Sequence, residues 1–518
     1  MPENFDFVVV GGGSAGAVVA SRLSEDPACR VALIEAGERP PEISSLPIAP
    51  PAMQLNPATD WMFTADPGKA GLGLNGRRVP VPRGKMLGGS SGINYMMYVP
   101  GHPGDFDSWA EGGAAGWSYA EVLPYFRKSE GLAPSEDIVI DAAAHNSAGP
   151  LGVSVRDPIL PAARQFVEAA VAAGIPKGDY NGRNRGGAAG VVSLTQYTTR
   201  GGRRSSTYQA FLAGEPESRP NLTIITGAQA TRVILADDGR QIAATGVEYR
   251  TAAGETATVH AGKEVILSAG AIGSPQLLLL SGVGPRQELE SVGVSCLVDA
   301  PHVGKHLQDH LMCPLFYPAP GIGVTMNDVA LAIGPDALRT PAGPLPADPA
   351  DDAKLSPALQ ALKQEAERRL AEWQATGRGL GASSLADAVV FCSSGVGDLH
   401  RHDTEIICFV TGGNDDFLRT IINLDTARFF DDPAKRVSGD AENLLLLANP
   451  VLPHSRGEIV LDSADHGVQP AIRMNYYDDP HDMKVMVAAI RRTMDIAAHW
   501  PGNRKLGPLM MPPFLAEK

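Results

Sequence analysis

The residues with the clearest chemistry are glycines. Residues 6–16 read Asp-Phe-Val-Val-Val-Gly-Gly-Gly-Ser-Ala-Gly, an apolar run feeding directly into a turn with glycine at 11, 13 and 16. A second apolar run, Val31–Ile34, ends on Glu35. Strand, glycine turn, helix, strand and terminal acid together are the fingerprint of a β-α-β dinucleotide-binding unit. Gly11 permits the tight turn out of the first strand, and Gly13 lets the backbone come up against a pyrophosphate. Gly16 lets the following helix pack close to the sheet. That helix, read at Ala17 to Leu23 with Ser14 and Ala15 in the turn before it, aims unpaired N–H groups at the phosphates. Glu35, with Ala36 behind it, can accept hydrogen bonds from a ribose diol. The chemistry implied is nucleotide-cofactor binding.

The elements that must position these residues can be read outward from them. A second glycine block at 82–94 reads Pro-Arg-Gly-Lys-Met-Leu-Gly-Gly-Ser-Ser-Gly-Ile-Asn. Residues 40–82, rich in Pro, Asn and Gly, read as extended coil covering the nucleotide. Helical patterning returns at 119–128 and again around Phe166, Ala169, Ala170 and Val171. Strand patterns follow at 222–225, 230–235, 246–249 and 264–268. The last runs into Ala269-Gly270-Ala271-Ile272-Gly273-Ser274-Pro275 and an apolar helix at 276–280. This is a second dinucleotide-type crossover, expected beside the first in one sheet. Residues 341–357 read as a loop. Ser356 then caps an amphipathic helix with Pro357 in its first turn, Leu359, Leu362, Ala366, Leu370 and Trp373 as its apolar stripe, and Gly377 at its end. Strand patterns at 405–410, 443–447 and 457–462 suggest a second, largely antiparallel sheet.

Composition narrows the class. The 518 residues exceed what one core holds, so at least two are expected. The 44 basic and 58 acidic residues leave a net charge of −14 with no polybasic run, which argues against nucleic acid or anionic lipid as a partner. The five cysteines, at 29, 296, 313, 392 and 408, fall in no metal-type or redox-type spacing and read as reduced thiols of a cytoplasmic protein. The first strand begins too early for a signal segment, no apolar run is long enough to span a bilayer, and no metal site is expected.

These motifs, taken in order, resemble those of the glucose–methanol–choline (GMC) flavin oxidoreductases, especially the choline-dehydrogenase-like alcohol dehydrogenases. The resemblance rests on residues 11–16, 82–94, 201–212 (Gly-Gly-Arg-Arg-Ser-Ser-Thr-Tyr-Gln-Ala-Phe-Leu), 269–285 and 303–310 (Val-Gly-Lys-His-Leu-Gln-Asp-His). It continues through Pro453-His454-Ser455-Arg456-Gly457 and Asn475-Tyr476-Tyr477 with Asp479, Pro480 and Asp482. Residues 313–440 depart most from the family. The resemblance implies α/β plus α+β architecture: a Rossmann-like FAD-binding domain (1–155 and 221–312) and a substrate domain on an antiparallel sheet (156–220 and 313–498). It implies FAD, with Met86, Leu87, Gly88, Gly89, Ser91, Asn94, Tyr95, Met96 and Met97 against or near the flavin and Trp61 close by. Val233 matches a position whose backbone holds the adenine, and Ala269 and Gly270 belong to the second signature segment. No histidine lies in 82–98, so noncovalent FAD is expected. The activity implied is oxidation of a primary alcohol to an aldehyde by hydride transfer to flavin N5, with oxygen, a quinone or another acceptor reoxidising the flavin.

The family's catalytic base is a histidine in a late His-x-x-Gly-Thr-Cys-x-Met-Gly-type segment. None of the twelve histidines here has that context, and residues 499–518 read as the start of an incomplete C-terminal segment. No catalytic residue is therefore assigned. Two alternatives follow: a flavoprotein remnant or subunit needing another chain for its base, and a lyase or decarboxylase on the same scaffold. His310 reads as a structural hydrogen-bonding residue, His102 and His145 as surface residues, and His400 with His402 as a solvated loop. Ser90 and Ser91 lack nucleophile-turn spacing and read as backbone contacts to the cofactor.

Overall fold

The Glu3–Val10 strand pairs in parallel with Val31–Ile34 on one side and with Thr256–Leu267 on the other. The computed structural model describes residues 3–335, 339–340, 343–344, 355–411, 415–429, 441–502 and 506–510. Leu222–Ile225 extends the parallel set beyond Val31–Ile34, and Ile242–Thr251 and Ala228–Asp237 complete a six-stranded sheet as an antiparallel ribbon. Every residue of Val31–Ile34 is buried, as an uninterrupted apolar strand in a covered parallel sheet must be. Helices Ser14–Leu23 and Gly270–Leu280 leave the ends of adjacent strands, so the two glycine turns lie side by side.

A second sheet, antiparallel throughout, runs Cys313–Pro318, Asn443–Pro450, Thr404–Phe409, Ala388–Cys392, Val191–Leu194. Side chains alternate across it. Val192, Ile406 and Leu446 share a core with Phe166 of helix Pro161–Ala172 and Ala489 of helix Pro480–Ala498. The opposite face carries Val389, Ile407, Leu445 and Leu447, and Met97 packs against it.

A four-stranded sheet was not expected. It joins Glu458–Val460, Ala471–Tyr476, Phe63–Gly68 and Val79–Val81, with Arg473 in register with Asp66. Residues 40–82 therefore hold two strands rather than coil alone, and the 457–462 strand pattern belongs here rather than to the antiparallel sheet. Helix Pro357–Thr376 forms as read, capped by Ser356 Oγ and ended at Gly377, but Leu362 faces outward and Lys363 is buried in its place. Val171 likewise points out of its helix while Val167 is buried. Most of the 341–357 loop lies outside the described residues, and so do residues 503–505 and 511–518 of the C-terminal segment.

The histidines correct the sequence reading most. His145 is buried, with Nδ1 2.6 Å from Glu130 Oε1 and Nε2 2.9 Å from Asp179 Oδ2. His102 is half-buried and caps helix Pro103–Glu111, its Nδ1 accepting from Gly104 N–H. His402 is buried and bonded to the Gly187 carbonyl. Burial alone would lower the pKa of His145, but the two carboxylates outweigh it and lift the imidazole to about 9. The stability this contributes is complete below the ordinary value of 6.5 and is lost as pH rises through about 9. We expect thermal unfolding to show a loss of about 3 kcal/mol between pH 6.5 and 9.5, and His145→Gln to flatten that slope. An unchanged slope in the variant would show that other groups set it.

Candidate cofactor site

The first glycine turn divides its work among three positions. Gly11 has φ +95°, and a Cβ there would lie 2.5 Å from the Ser268 carbonyl oxygen of the neighbouring strand. A Cβ at Gly16 would come within 1.8 Å of the Gly11 carbonyl oxygen, so the helix can approach the strand only without one. At Gly13 a Cβ would meet nothing closer than Gly89 Cα at 3.7 Å. Gly11 and Gly16 are thus required by the protein's own packing, whereas Gly13 leaves space in front of the turn. The helix beginning at Ser14 has no side-chain cap and no acid in its first turn, so its N-terminal N–H groups remain free for an anion.

Glu35 sits beneath this turn, almost fully buried. Its Oε2 accepts from Gly12 N–H and its Oε1 from Gly37 N–H, both at 2.8 Å. Burial pushes its carboxyl up to about 7, against the pull of those N–H groups and of Lys85. The second glycine block docks on the first: Gly88 N–H donates to the Gly12 carbonyl at 2.8 Å. A Cβ at Gly89 would lie 2.7 Å from Gly13 Cα.

These residues border a cavity of about 620 Å³, in the range that takes a cofactor-sized ligand. Of the positions read from sequence, Gly11, Gly13, Ser14, Ala15, Glu35, Ala36, Trp61, Gly89, Ala269 and Gly270 line it. Gly16 lies behind the turn. Met86 and Leu87 are core residues. The cavity meets the Ala228–Asp237 strand at Ala228, Gln229 and Ala230, not at Val233, whose N–H is bonded to Ser281 Oγ. Arg83, Ser268 and His466 also line it and were missed. Arg83 and Ser268 adjoin glycine motifs and could have been read with them; nothing local marks His466.

The remaining candidates form a continuous segment leading from the cavity edge at Gly89–Ser90 to the antiparallel sheet. Ser91 Oγ donates to the Gly88 carbonyl and accepts from Thr207 N–H. Asn94 Oδ1 accepts from Met96 N–H and from Arg204. The Tyr95 carbonyl accepts from Ser384 Oγ, and its ring stands edge-on to Phe409 at 5.7 Å. The Met96 carbonyl accepts from Thr198 N–H, and Met97 bridges to Tyr197. His310 bonds to the Val451 carbonyl, and burial lowers its pKa.

An open glycine cradle, an uncapped helix end and a buried carboxylate acceptor are the donor and acceptor set that the ADP half of a dinucleotide requires. The site fits such a cofactor. Among the described residues no cluster of three or more metal-ligating side chains occurs, and no helix is long and apolar enough to cross a membrane.

Comparison with known proteins agrees with this geometry. The chain is 33% identical over 506 residues to an oxygen-dependent choline dehydrogenase of Vibrio vulnificus, covering 96% of this chain and 77% of that protein. It is 33% identical over 491 residues to an alcohol dehydrogenase [acceptor] of Pseudomonas putida, covering 94% and 77%. Among solved structures, an Aspergillus oryzae formate oxidase variant studied for FAD modification superposes with a TM-score of 0.79 at 27% identity, covering 99% of this chain and 84% of that one. A pyridoxine 4-oxidase from Mesorbium loti gives 0.73 at 28% identity, covering 98% and 83%. The GMC oxidoreductase family matches in two parts, its N-terminal model over residues 5–312 and its C-terminal model over 453–513. The chain belongs to the GMC oxidoreductase family.

Proposed function

We propose that this protein is an FAD-dependent oxidoreductase that oxidises a primary alcohol to the aldehyde, with FAD held noncovalently. The observation that carries the reading is the convergence of open Gly13, the uncapped helix end and Glu35 on one cavity in a chain of this family. The backbone of Gly13, Ser14 and Ala15 would hold the pyrophosphate, Glu35 the adenosine ribose, and the strand at Ala228–Ala230 would wall the adenine. The ring system would lie along Asn94–Met97, beneath the Ile407–Phe409 face of the antiparallel sheet.

When bound, the flavin supplies the redox chemistry by accepting the hydride at N5. The chain's own residues orient and enclose. Tyr95, Met97 and Phe409 present an apolar wall that excludes water and strengthens each remaining electrostatic contact. Noncovalent attachment is supported by the absence of histidine from 82–98, where Ile93 is buried. The division into an FAD-binding part (1–155 and 221–312) and a substrate part (156–220 and 313–498) is part of the proposal. It is supported by the separate six-stranded and five-stranded sheets, although the Ala471–Tyr476 strand crosses it. Five free cysteines suit a cytoplasmic setting. The relatives are named as dehydrogenases and oxidases, which favours alcohol oxidation over a lyase and over an inactive remnant.

The test is anaerobic mixing of the FAD-loaded protein with primary alcohols, choline and an aryl alcohol among them. Bleaching of the visible flavin band with stoichiometric aldehyde is the expected result. Retained colour with every primary alcohol, in a protein that holds flavin, would overturn the assignment.

A further inference from the structure

Arg204 is a buried cation without a countercharge among the described residues. It lies on the short strand Arg203–Arg204, and only 3% of its surface is exposed. Its Nε donates to the Ser44 carbonyl at 2.8 Å, and its Nη1 to the Ser91 carbonyl at 3.1 Å and Asn94 Oδ1 at 2.7 Å. Its Nη2 has no hydrogen-bond partner among the described residues. No carboxylate there contacts it, and burial alone pulls its pKa down to about 9. Other buried arginines in this fold are matched differently: Arg156 is paired with Asp387 at 2.8 Å. Arg185 donates to the Gly182 and Gly101 carbonyls and lies in the field of the Asp105 and Asp179 carboxylates.

Burying a guanidinium with neutral acceptors alone is expensive, because nothing repays the lost hydration of the charge. Two of the three contacts that fix it are with Ser91 and Asn94, in the segment assigned above to the flavin; the third is with Ser44. We propose that Arg204 is the fixed positive charge that favours the reduced, negatively charged state of the flavin, and so sets the cofactor's potential. This rests on the reading of Asn94–Met97 as the flavin-lining segment. Hydride transfer brings two electrons and one proton to the ring, which gains one unit of negative charge, while the alcohol's hydroxyl proton leaves separately. A cation held in a low-dielectric interior close to that charge stabilises the product of the transfer. Arg204 acts through its field and is a positioning residue, not a catalytic one. A unit charge acting through the protein interior shifts an equilibrium by about tenfold or more.

The experiment is reduction of the FAD-loaded protein in equilibrium with a redox dye, with flavin content measured alongside. At the dye poise that half-reduces the wild type, Arg204→Gln should show a ratio of reduced to oxidised flavin at least tenfold lower, at full flavin stoichiometry. Arg204→Lys keeps the charge and should stay within about threefold at low pH. A lysine buried there should lose its proton in the accessible range, so the ratio in that variant should fall steeply as pH rises, beyond the slope of the wild type. If Arg204→Gln does not fold, the lysine variant alone decides. A ratio in either variant that tracks the wild type at every pH would overturn the proposal and leave Arg204 a structural clamp. A wild type that takes up no flavin would instead defeat the cofactor reading itself.

Discussion

Replacing Gly13 with valine should give a folded protein that carries no flavin. A Cβ at this position meets only Gly89 Cα, at 3.7 Å, so the apoprotein has room for the first atom of a side chain. The branches beyond it would fill the space in front of the helix N-terminus, where a pyrophosphate would sit. Gly16→Ala is the contrasting variant. Its methyl carbon would lie 1.8 Å from the Gly11 carbonyl oxygen, so it should fail at folding. The measurements are flavin absorbance per mole of protein and thermal unfolding of the apoprotein. Full flavin stoichiometry in the Gly13 variant would show that the phosphates bind elsewhere.

Cofactor affinity should depend on pH through Glu35. In the free protein its carboxyl is pushed up to about 7, so below that pH it is mostly neutral. Ribose hydroxyls donate to the ionised form, so binding draws the carboxyl into its charged state and releases a proton. Affinity should therefore be greatest above pH 7 and weaken as pH falls toward 5.5. Glu35→Gln removes the titration and should flatten this dependence. Glu35→Ala should weaken retention at pH 8 by roughly 10- to 150-fold, the loss of about 1.5–3 kcal/mol from hydrogen bonds to a charged group. A wild-type dissociation constant that is flat from pH 5.5 to 8 would remove Glu35 from the binding site.

The features that sequence reasoning reached are those whose constraints are local. The turn at Gly11–Gly16 and the acid ending the next strand need only their own neighbours to specify them, and both line the cavity. Val233, taken from the family match, lies off the cavity wall. The Ala228–Asp237 strand meets the cavity at Ala228–Ala230 and shifts register between Ala230 and Arg232 and again between Ile234 and Leu235. Phe63–Gly68 was hidden because Pro67 and Gly68 sit within a strand whose burial alternates regularly. His145 was misplaced because its partners lie 15 and 34 residues away, and nothing near it in sequence signals that two carboxylates will close around it.

The four-stranded sheet sets a limit on when the cofactor site can be finished. Trp61, which lines the cavity, has its carbonyl held by Gln469, 408 positions later, and the strand after it pairs with Ala471–Tyr476. On a ribosome adding about 5–20 residues each second, that wall waits roughly 20–80 s after its own synthesis for a partner. During that interval Phe63 and Ala65 have only the short hairpin with Val79–Val81 to pack against. Flavin capture then becomes a late event in the life of the nascent chain, and the open edge in between is where a chaperone would be needed and where slow or interrupted translation would lead to aggregation.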